Sequence, residues 1–230
     1  MMKKQNKEGN PLLLQWQSHF APQNKEDYML DKMIGFIGAG NMGSAMIGGI
    51  LDASLVTTSQ IIASAHSPET LDKIRTKFSI ETTPSNEVVA ERSDILFLAV
   101  KPNKFAEVLP QIKDHLKPDC IVVSIAAGQP ISHIEAILGK IKLVRAMPNT
   151  PALVGAAMSA LCPNDKVTAE EVKLIESLFN SFGRAEVVPE SMMDAVVGVS
   201  GSSPAYVYMF IEAMADAAVA DGMPRTQAYK

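Results

Sequence analysis

Three glycines frame the chemistry open to this chain. Gly38, Gly40 and Gly43 stand in G-x-G-x-x-G spacing between an apolar run, Met33 to Ile37, and a small-residue stretch, Met42 to Leu51. The run has the length and residue types of a buried parallel strand, and the stretch those of a helix. In that setting Gly38 lets the chain turn tightly out of the strand. Gly40 leaves backbone free to touch a pyrophosphate, and Gly43 lets the helix lie close on the sheet. The helix start adds free N–H groups and the positive end of a dipole, both suited to a diphosphate. A glycine-rich turn without a ligand has the same spacing. The position between strand and helix favours dinucleotide binding.

In open sheets of this kind, ligands lie beyond the carboxyl ends of the strands. Residues just after each strand are therefore the next candidates. An NAD site usually carries an acidic residue about 20 residues past the glycines, on the ribose hydroxyls. This chain has Ser64-Ala65-His66-Ser67 there, with no carboxylate before Glu69. A carboxylate would repel a 2′-phosphate, whereas hydroxyls and an imidazole can donate to one. NADPH is thus expected to bind better than NADH, the alternative being a plain polar turn before Pro68.

Lys101, in Ala99-Val100-Lys101-Pro102, sits at a strand end over the expected crevice, or is simply a solvated lysine opening a helix. Ala126-Ala127-Gly128 would let a flat ring approach, or packs tightly for its own sake. Met147 to Pro151 holds Asn149 between two prolines, which stiffens the backbone as a substrate-facing loop or a plain turn needs. In Ser200-Gly201-Ser202-Ser203-Pro204, Ser202 or Ser203 could cap the next helix, or the loop could offer N–H and O–H donors to a carboxylate. Catalytic candidates are Lys101, Asn149, Ser200 and Ser202. No Ser-His-Asp grouping or carboxylate pair stands out. A nicotinamide enzyme needs little more, because the cofactor carries the hydride.

The elements that must position these residues alternate. Strands are expected at Gln60–Ser64, Ile80–Thr82, Asp94–Val100, Cys120–Ile125, Lys142–Ala146, Met158–Cys162 and Ala185–Val188. Helices are expected at Pro68–Phe78, Pro102–Leu116, Ile131–Leu138 and Thr168–Phe182, the last with a Thr168/Glu171 capping box. This alternation predicts an α/β fold, a Rossmann-type doubly wound parallel sheet. After Pro189 the pattern turns all-helical: a short helix Ser191–Val197, a loop Gly198–Pro204, a long helix Ala205–Asp221 ended by Gly222, and a new helix opening at Pro224. The predicted organisation is a poorly ordered extension over 1–31, a cofactor-binding domain over 32–190 and a helical domain from 191 to 230.

Composition excludes several classes. The chain has 230 residues, 47% hydrophobic and 20% charged, with net charge -4 and no basic cluster, so nucleic acid is not an expected partner. No apolar run reaches membrane-spanning length. Cys120 and Cys162 lie in apolar runs and read as buried free thiols. The histidines (His19, His66, His115 and His133) lack metal-ligand spacing, so no metal is expected. The long helix is charged only at Glu212, Asp216 and Asp221, so its apolar surface needs a partner.

Four segments, in order, carry a family resemblance: Gly-Phe-Ile-Gly-Ala-Gly-Asn-Met-Gly, Phe-Leu-Ala-Val-Lys-Pro, Met-Pro-Asn-Thr-Pro and Val-Ser-Gly-Ser-Ser-Pro-Ala-Tyr. From about Lys32 to Lys230 the chain resembles pyrroline-5-carboxylate reductase. The resemblance implies NADPH-dependent reduction of the C=N bond of 1-pyrroline-5-carboxylate to L-proline, the last step of proline biosynthesis. It implies a cytoplasmic homo-oligomer, a dimer or larger, built through the C-terminal helices. Ile37, Gly38, Ala39, Gly40, Asn41 and Met42 would then hold the pyrophosphate, with Gly43 behind them. Ser64 and Asn86 would lie near the adenosine, and Val100, Lys101, Pro102 and Ala127 near the nicotinamide.

The chain departs from the family in three ways. Ser203 stands where the family usually has Gly, which would stiffen the loop, and residues 1–31 have no counterpart. The family also continues past the equivalent of Lys230 with more helices and a Ser-Pro-Gly-Gly-Thr-Thr-type substrate loop. The helical domain is thus expected to be truncated, and cofactor binding is a firmer expectation than turnover. The rival readings are a non-catalytic nucleotide-binding remnant and another small NADP oxidoreductase of the same fold.

Overall fold

Short runs of Ile, Val, Leu and Phe, buried on both faces, form the central strands, as a sheet covered by helices on each side requires. The computed structural model describes residues 29–230. The expectation for residues 1–31 falls almost wholly outside them. In chain order the elements are β1 (Ile34–Ile37), α1 (Asn41–Asp52), β2 (Ile61–Ser64), α2 (Pro68–Phe78), β3 (Glu81–Thr83), α3 (Asn86–Arg92), β4 (Ile95–Leu98), α4 (Phe105–Ile112) and β5 (Ile121–Ser124). There follow α5 (Ile131–Leu138), β6 (Lys142–Met147), β7 (Ala157–Pro163), α6 (Ala169–Asn180), β8 (Gly183–Val187), α7 (Met193–Val196), α8 (Ser203–Ala220) and α9 (Arg225–Ala228).

The sheet runs β3-β2-β1-β4-β5-β6-β7-β8. Its order reverses where β1 lies between β2 and β4, the switch point at which such sheets bind ligands. All pairs are parallel except β6–β7, which is antiparallel. The expected doubly wound parallel sheet is present, with this one antiparallel pair added. The link from β6 to β7 is one 3₁₀ segment, Thr150–Val154, and a parallel crossover needs about a dozen residues or more.

Phe36 stacks on Phe97 at 4.7 Å, and Phe179 and Phe182 extend the cluster. Residues of α1, α2 and α6 complete this face of the core, while α3, α4 and α5 cover the other.

Three local expectations need correction. The helix α3 was not anticipated; Ser85 caps it by accepting from the Val88 N–H at 3.1 Å. The single helix expected over 102–116 is instead α4 between 3₁₀ turns at Pro102–Lys104 and Lys113–His115. Pro110, inside α4, removes one helical hydrogen bond. The loop expected over 198–204 is a π-turn, Val197–Gly201, leading directly into α8.

The helix α8 is apolar and outward-facing. Tyr206, Val207, Met209, Phe210 and Met214 are all exposed, and only Ala215 is buried. The chain turns back at Gly222 (φ 94°), and α9 returns along the charged side of α8. There Arg225 pairs with Asp216, and the Tyr229 hydroxyl donates to Glu212 at 3.0 Å.

Candidate functional site

The ends of β1, β2, β4 and β5 are laced together by backbone hydrogen bonds. The Gly38 N–H donates to Ser64 O at 3.0 Å, the Ala99 N–H to Ile37 O at 2.8 Å, and the Ile125 N–H to Leu98 O at 3.2 Å. The glycines divide into two kinds. Gly38 has φ 96°, and a Cβ there would stand 2.7 Å from Ala99 O. A Cβ at Gly43 would stand 2.5 Å from Gly38 O, because α1 lies hard against the turn. Both are required by the protein itself. A Cβ at Gly40 would meet nothing within 4 Å. Gly40 is also the N-cap of α1, with no side-chain cap and no acidic residue in the first turn. An open, uncapped and carboxylate-free helix start fits a pyrophosphate. Ile37 and Ala39 are buried, with Ile37 O held by the Ala99 N–H, and Met42 packs on the core; of the residues expected to hold the pyrophosphate, Gly40 and Asn41 are the exposed ones.

Beside this turn, Ser64 and Asn86 meet. Fully buried Ser64 donates its hydroxyl to Asn86 Oδ1 at 2.7 Å, and Asn86 Nδ2 donates to Gln111 Oε1 at 2.7 Å. The chain of bonds ties β2, α3 and α4 together, with Ser64 supporting Asn86 from beneath. His66 is exposed just beyond β2. Val100 flanks the glycine turn: its Cγ1 lies 2.8 Å from where a Gly38 Cβ would stand. Lys101 and Pro102 are exposed, as is Ala127. Gln129 Oε1, two residues further on, is buried without a hydrogen-bond partner.

Two of the other three catalytic candidates, Asn149 and Ser200, form a second cluster. The Met158 N–H donates to Asn149 Oδ1 at 2.9 Å. That bond fixes which end of the amide faces which neighbour. Asn149 Nδ2 therefore points at Ser200, donating to its carbonyl at 3.2 Å and to its Oγ at 3.3 Å. Since Ser200 Oγ accepts, its own proton is left to donate elsewhere. The pair edges a cleft of about 370 Å³ lined also by Pro151, Val199, Ser203, Pro204, Val207 and Tyr208. The 3₁₀ turn that follows Asn149 packs on α1, the helix that the glycine turn opens.

Ser202 does not take part. It stands at the N-cap of α8 without capping it, and its hydroxyl donates to Val197 O at 3.0 Å, closing the π-turn. No hydrogen bond or ion pair links Lys101 to the Asn149–Ser200 pair.

One pair was missed from sequence. Arg145 on β6 is buried, and its Nη1 donates to Glu190 Oε1 at 3.0 Å. The same oxygen accepts the Ile131 N–H at 2.8 Å. The available signal was a lone arginine inside the apolar strand Lys142–Met147. Burial, aided by the negative charge of Asp94, pushes the Cys120 thiol up to about 12, so it stays protonated and inert. Among the described residues, no helix is long and apolar enough to cross a membrane, and no three His, Cys, Asp or Glu side chains group as metal ligands do.

Comparison with known proteins gives the family. A family model described as NADP oxidoreductase, coenzyme F420-dependent, matches residues 33–128, and one described as pyrroline-5-carboxylate reductase dimerisation matches residues 190–230. The pyrroline-5-carboxylate reductase of Escherichia coli is 50% identical over 202 residues, 87% of this chain and 75% of that protein. That of Methanosarcina acetivorans is 44% identical over 201 residues, 87% of this chain and 74% of its own. Among solved structures, the Plasmodium falciparum pyrroline carboxylate reductase with NADP bound superposes with a TM-score of 0.80 at 35% identity, covering 87% of this chain and 74% of that one. Identity of this order across both the glycine turn and the dimerisation segment leaves one assignment: the chain belongs to the pyrroline-5-carboxylate reductase family of NAD(P)-dependent oxidoreductases.

Proposed function

We propose that this protein reduces the C=N bond of 1-pyrroline-5-carboxylate to L-proline, taking the hydride from NADPH in preference to NADH. The observation that carries the reading is the open, uncapped start of α1 at Gly40, on a helix against which the turn following Asn149 packs. The relatives named above, pyrroline-5-carboxylate reductases at 44–50% identity, supply the substrate class.

Bound at that turn, the reduced nicotinamide supplies a hydride. The chain's own groups hold and orient. Backbone N–H groups at the uncapped helix start, from Gly40 to Gly43, receive the pyrophosphate, the Gly38 N–H being held by Ser64 O. Exposed His66, with no carboxylate before Glu69, suits a 2′-phosphate, and Asn86, braced by Ser64, borders the adenosine. Val100, Pro102 and Ala127 line the nicotinamide side. Lys101, whose side chain has no partner among the described residues, adds positive charge at the rim. In the cleft, the outward Ser200 proton meets the substrate carboxylate. A protonated imine is already electrophilic, so no strong acid is demanded of the protein. The hydride adds to the ring carbon and the nitrogen keeps its proton. Residues 32–190 act as the cofactor-binding domain and 191–230 as the start of a helical dimerisation domain.

The test is product analysis. Incubation with NADPH and 1-pyrroline-5-carboxylate yields one proline per NADPH consumed. Reduction of another substrate class, with this imine untouched, would show a different oxidoreductase on the same fold.

A further inference from the structure

Glu190 takes no part in the chemistry above, yet its carboxylate bonds to two segments that lead to the site, and its own backbone leads to a third. Its Oε1 accepts the Ile131 N–H at 2.8 Å and Arg145 Nη1 at 3.0 Å. Ile131 opens α5, whose N-cap, Pro130, offers no side-chain cap. The carboxylate supplies that missing partner and puts negative charge at the positive end of the helix. Only Gly128, Gln129 and Pro130 separate Ile131 from Ala127, on the nicotinamide side. Arg145 lies on β6, the strand that runs directly into Asn149. Glu190 itself begins the 3₁₀ turn that leads through α7 to the π-turn bearing Ser200.

We propose that Glu190 is a positioning residue for hydride transfer. Its carboxylate sets the Ala126–Pro130 loop, the Asn149 loop and the Ser200 turn in one register, so that cofactor ring and imine meet at reacting distance. The proposal rests on the function argued above. A plain interdomain staple would instead hold the parts together without affecting the chemical step. Arg145 makes the distinction sharp. It is buried on β6, so removing Glu190 alone strands a charge. Removing both charges together does not.

The experiment compares the parent with Glu190→Gln and with the double variant R145M/E190M. Each is measured for melting temperature, NADPH affinity by fluorescence, kcat and KM, and the primary isotope effect with NADPH deuterated at the transferred position. The double variant leaves no stranded charge and separates folding from positioning. At a melting temperature near the parent's, it is expected to bind NADPH as tightly as the parent. Its kcat is expected to fall roughly tenfold to a hundredfold with a larger isotope effect, because small misplacements of reacting groups cost rate on that scale. A folded double variant with the parent's kcat and isotope effect would overturn the proposal, as would a loss confined to NADPH affinity. If Glu190→Gln does not fold, the double variant alone decides. If the parent binds NADPH but does not oxidise it with this imine, the function above falls. The positioning claim is then read from amide hydrogen exchange with NADPH bound. Faster exchange at both 126–131 and 197–202 in the double variant supports it, and unchanged exchange overturns it.

Discussion

Asn149 donates its amide to Ser200, and the Met158 N–H leaves it no other orientation. The consequence is a serine hydroxyl that must accept from one side and is free to donate on the other. Asn149→Asp removes the donor and offers Ser200 an acceptor, turning its proton inward. Ser200→Ala removes the proton altogether. A hydrogen bond to a charged group contributes about 1.5–3 kcal/mol, or roughly 10- to 150-fold. Both variants are therefore expected to raise KM for the imine by about that factor in steady-state assays, with NADPH affinity by fluorescence titration unchanged. Equal losses in cofactor affinity would place the pair in the cofactor site instead.

The glycine turn predicts two opposite failures. Gly40→Val adds a side chain into open space, so the protein is expected to fold with its parent melting temperature and to lose NADPH binding. Gly38→Ala and Gly43→Ala each put a Cβ under 3 Å from backbone oxygen, and Gly38 also has positive φ. Both are expected to lower the melting temperature, since strain of this kind costs on the order of 1–3 kcal/mol. Thermal melts with and without NADPH separate the two classes.

How far the sequence revealed this arrangement depended on how local each signal was. The helices Pro68–Phe78 and Ile131–Leu138 were read to the residue, and the Thr168/Glu171 capping box forms with bonds of 2.9 and 3.3 Å. Strand, glycine turn and helix are consecutive and announce themselves. Features that depend on distant partners did not. Ser64 and Asn86 were both candidates, but their mutual bond spans 22 residues and buries the serine hydroxyl. The π-turn at Val197–Gly201 looked like a loop, because Asn149 and Ser202 hold it by bonds that no local pattern encodes. Arg145 and Glu190 are 45 residues apart. The antiparallel β7 was legible in principle, from the short link after Asn149.

Cys120 offers a check on core burial. Its thiol lies above its ordinary value of 9.0, at about 12, chiefly through burial. The folded protein keeps the proton longer than the unfolded chain does. The stabilisation is therefore complete below about pH 9 and is lost as pH rises from 9 towards 12. Thiol reagents near neutral pH are expected to leave Cys120 unmodified until denaturant is added. Stability of Cys120→Ala relative to the parent should improve across that alkaline window. Rapid labelling of folded protein at Cys120 would contradict the packing of β5.

The helix α8 predicts association. Met209 and Phe210 are 69% and 66% exposed, and each large apolar side chain covered contributes about 1.5–3 kcal/mol. Light scattering on the purified protein is expected to give a dimer or larger species, and Phe210→Glu to shift it towards monomer. A monodisperse monomer in the parent would contradict a role for this face in assembly.

Hydride transfer to the imine carbon is the central claim, and isotope tracing tests it most directly. The protein is incubated with 1-pyrroline-5-carboxylate and NADPH deuterated at the transferred position, and the product is examined by NMR. The account predicts L-proline with one deuterium on the ring carbon that was double-bonded to nitrogen, one for each NADPH oxidised. NADPH that binds at the Gly40 turn while the imine is recovered unreduced, or proline formed without deuterium, would contradict it.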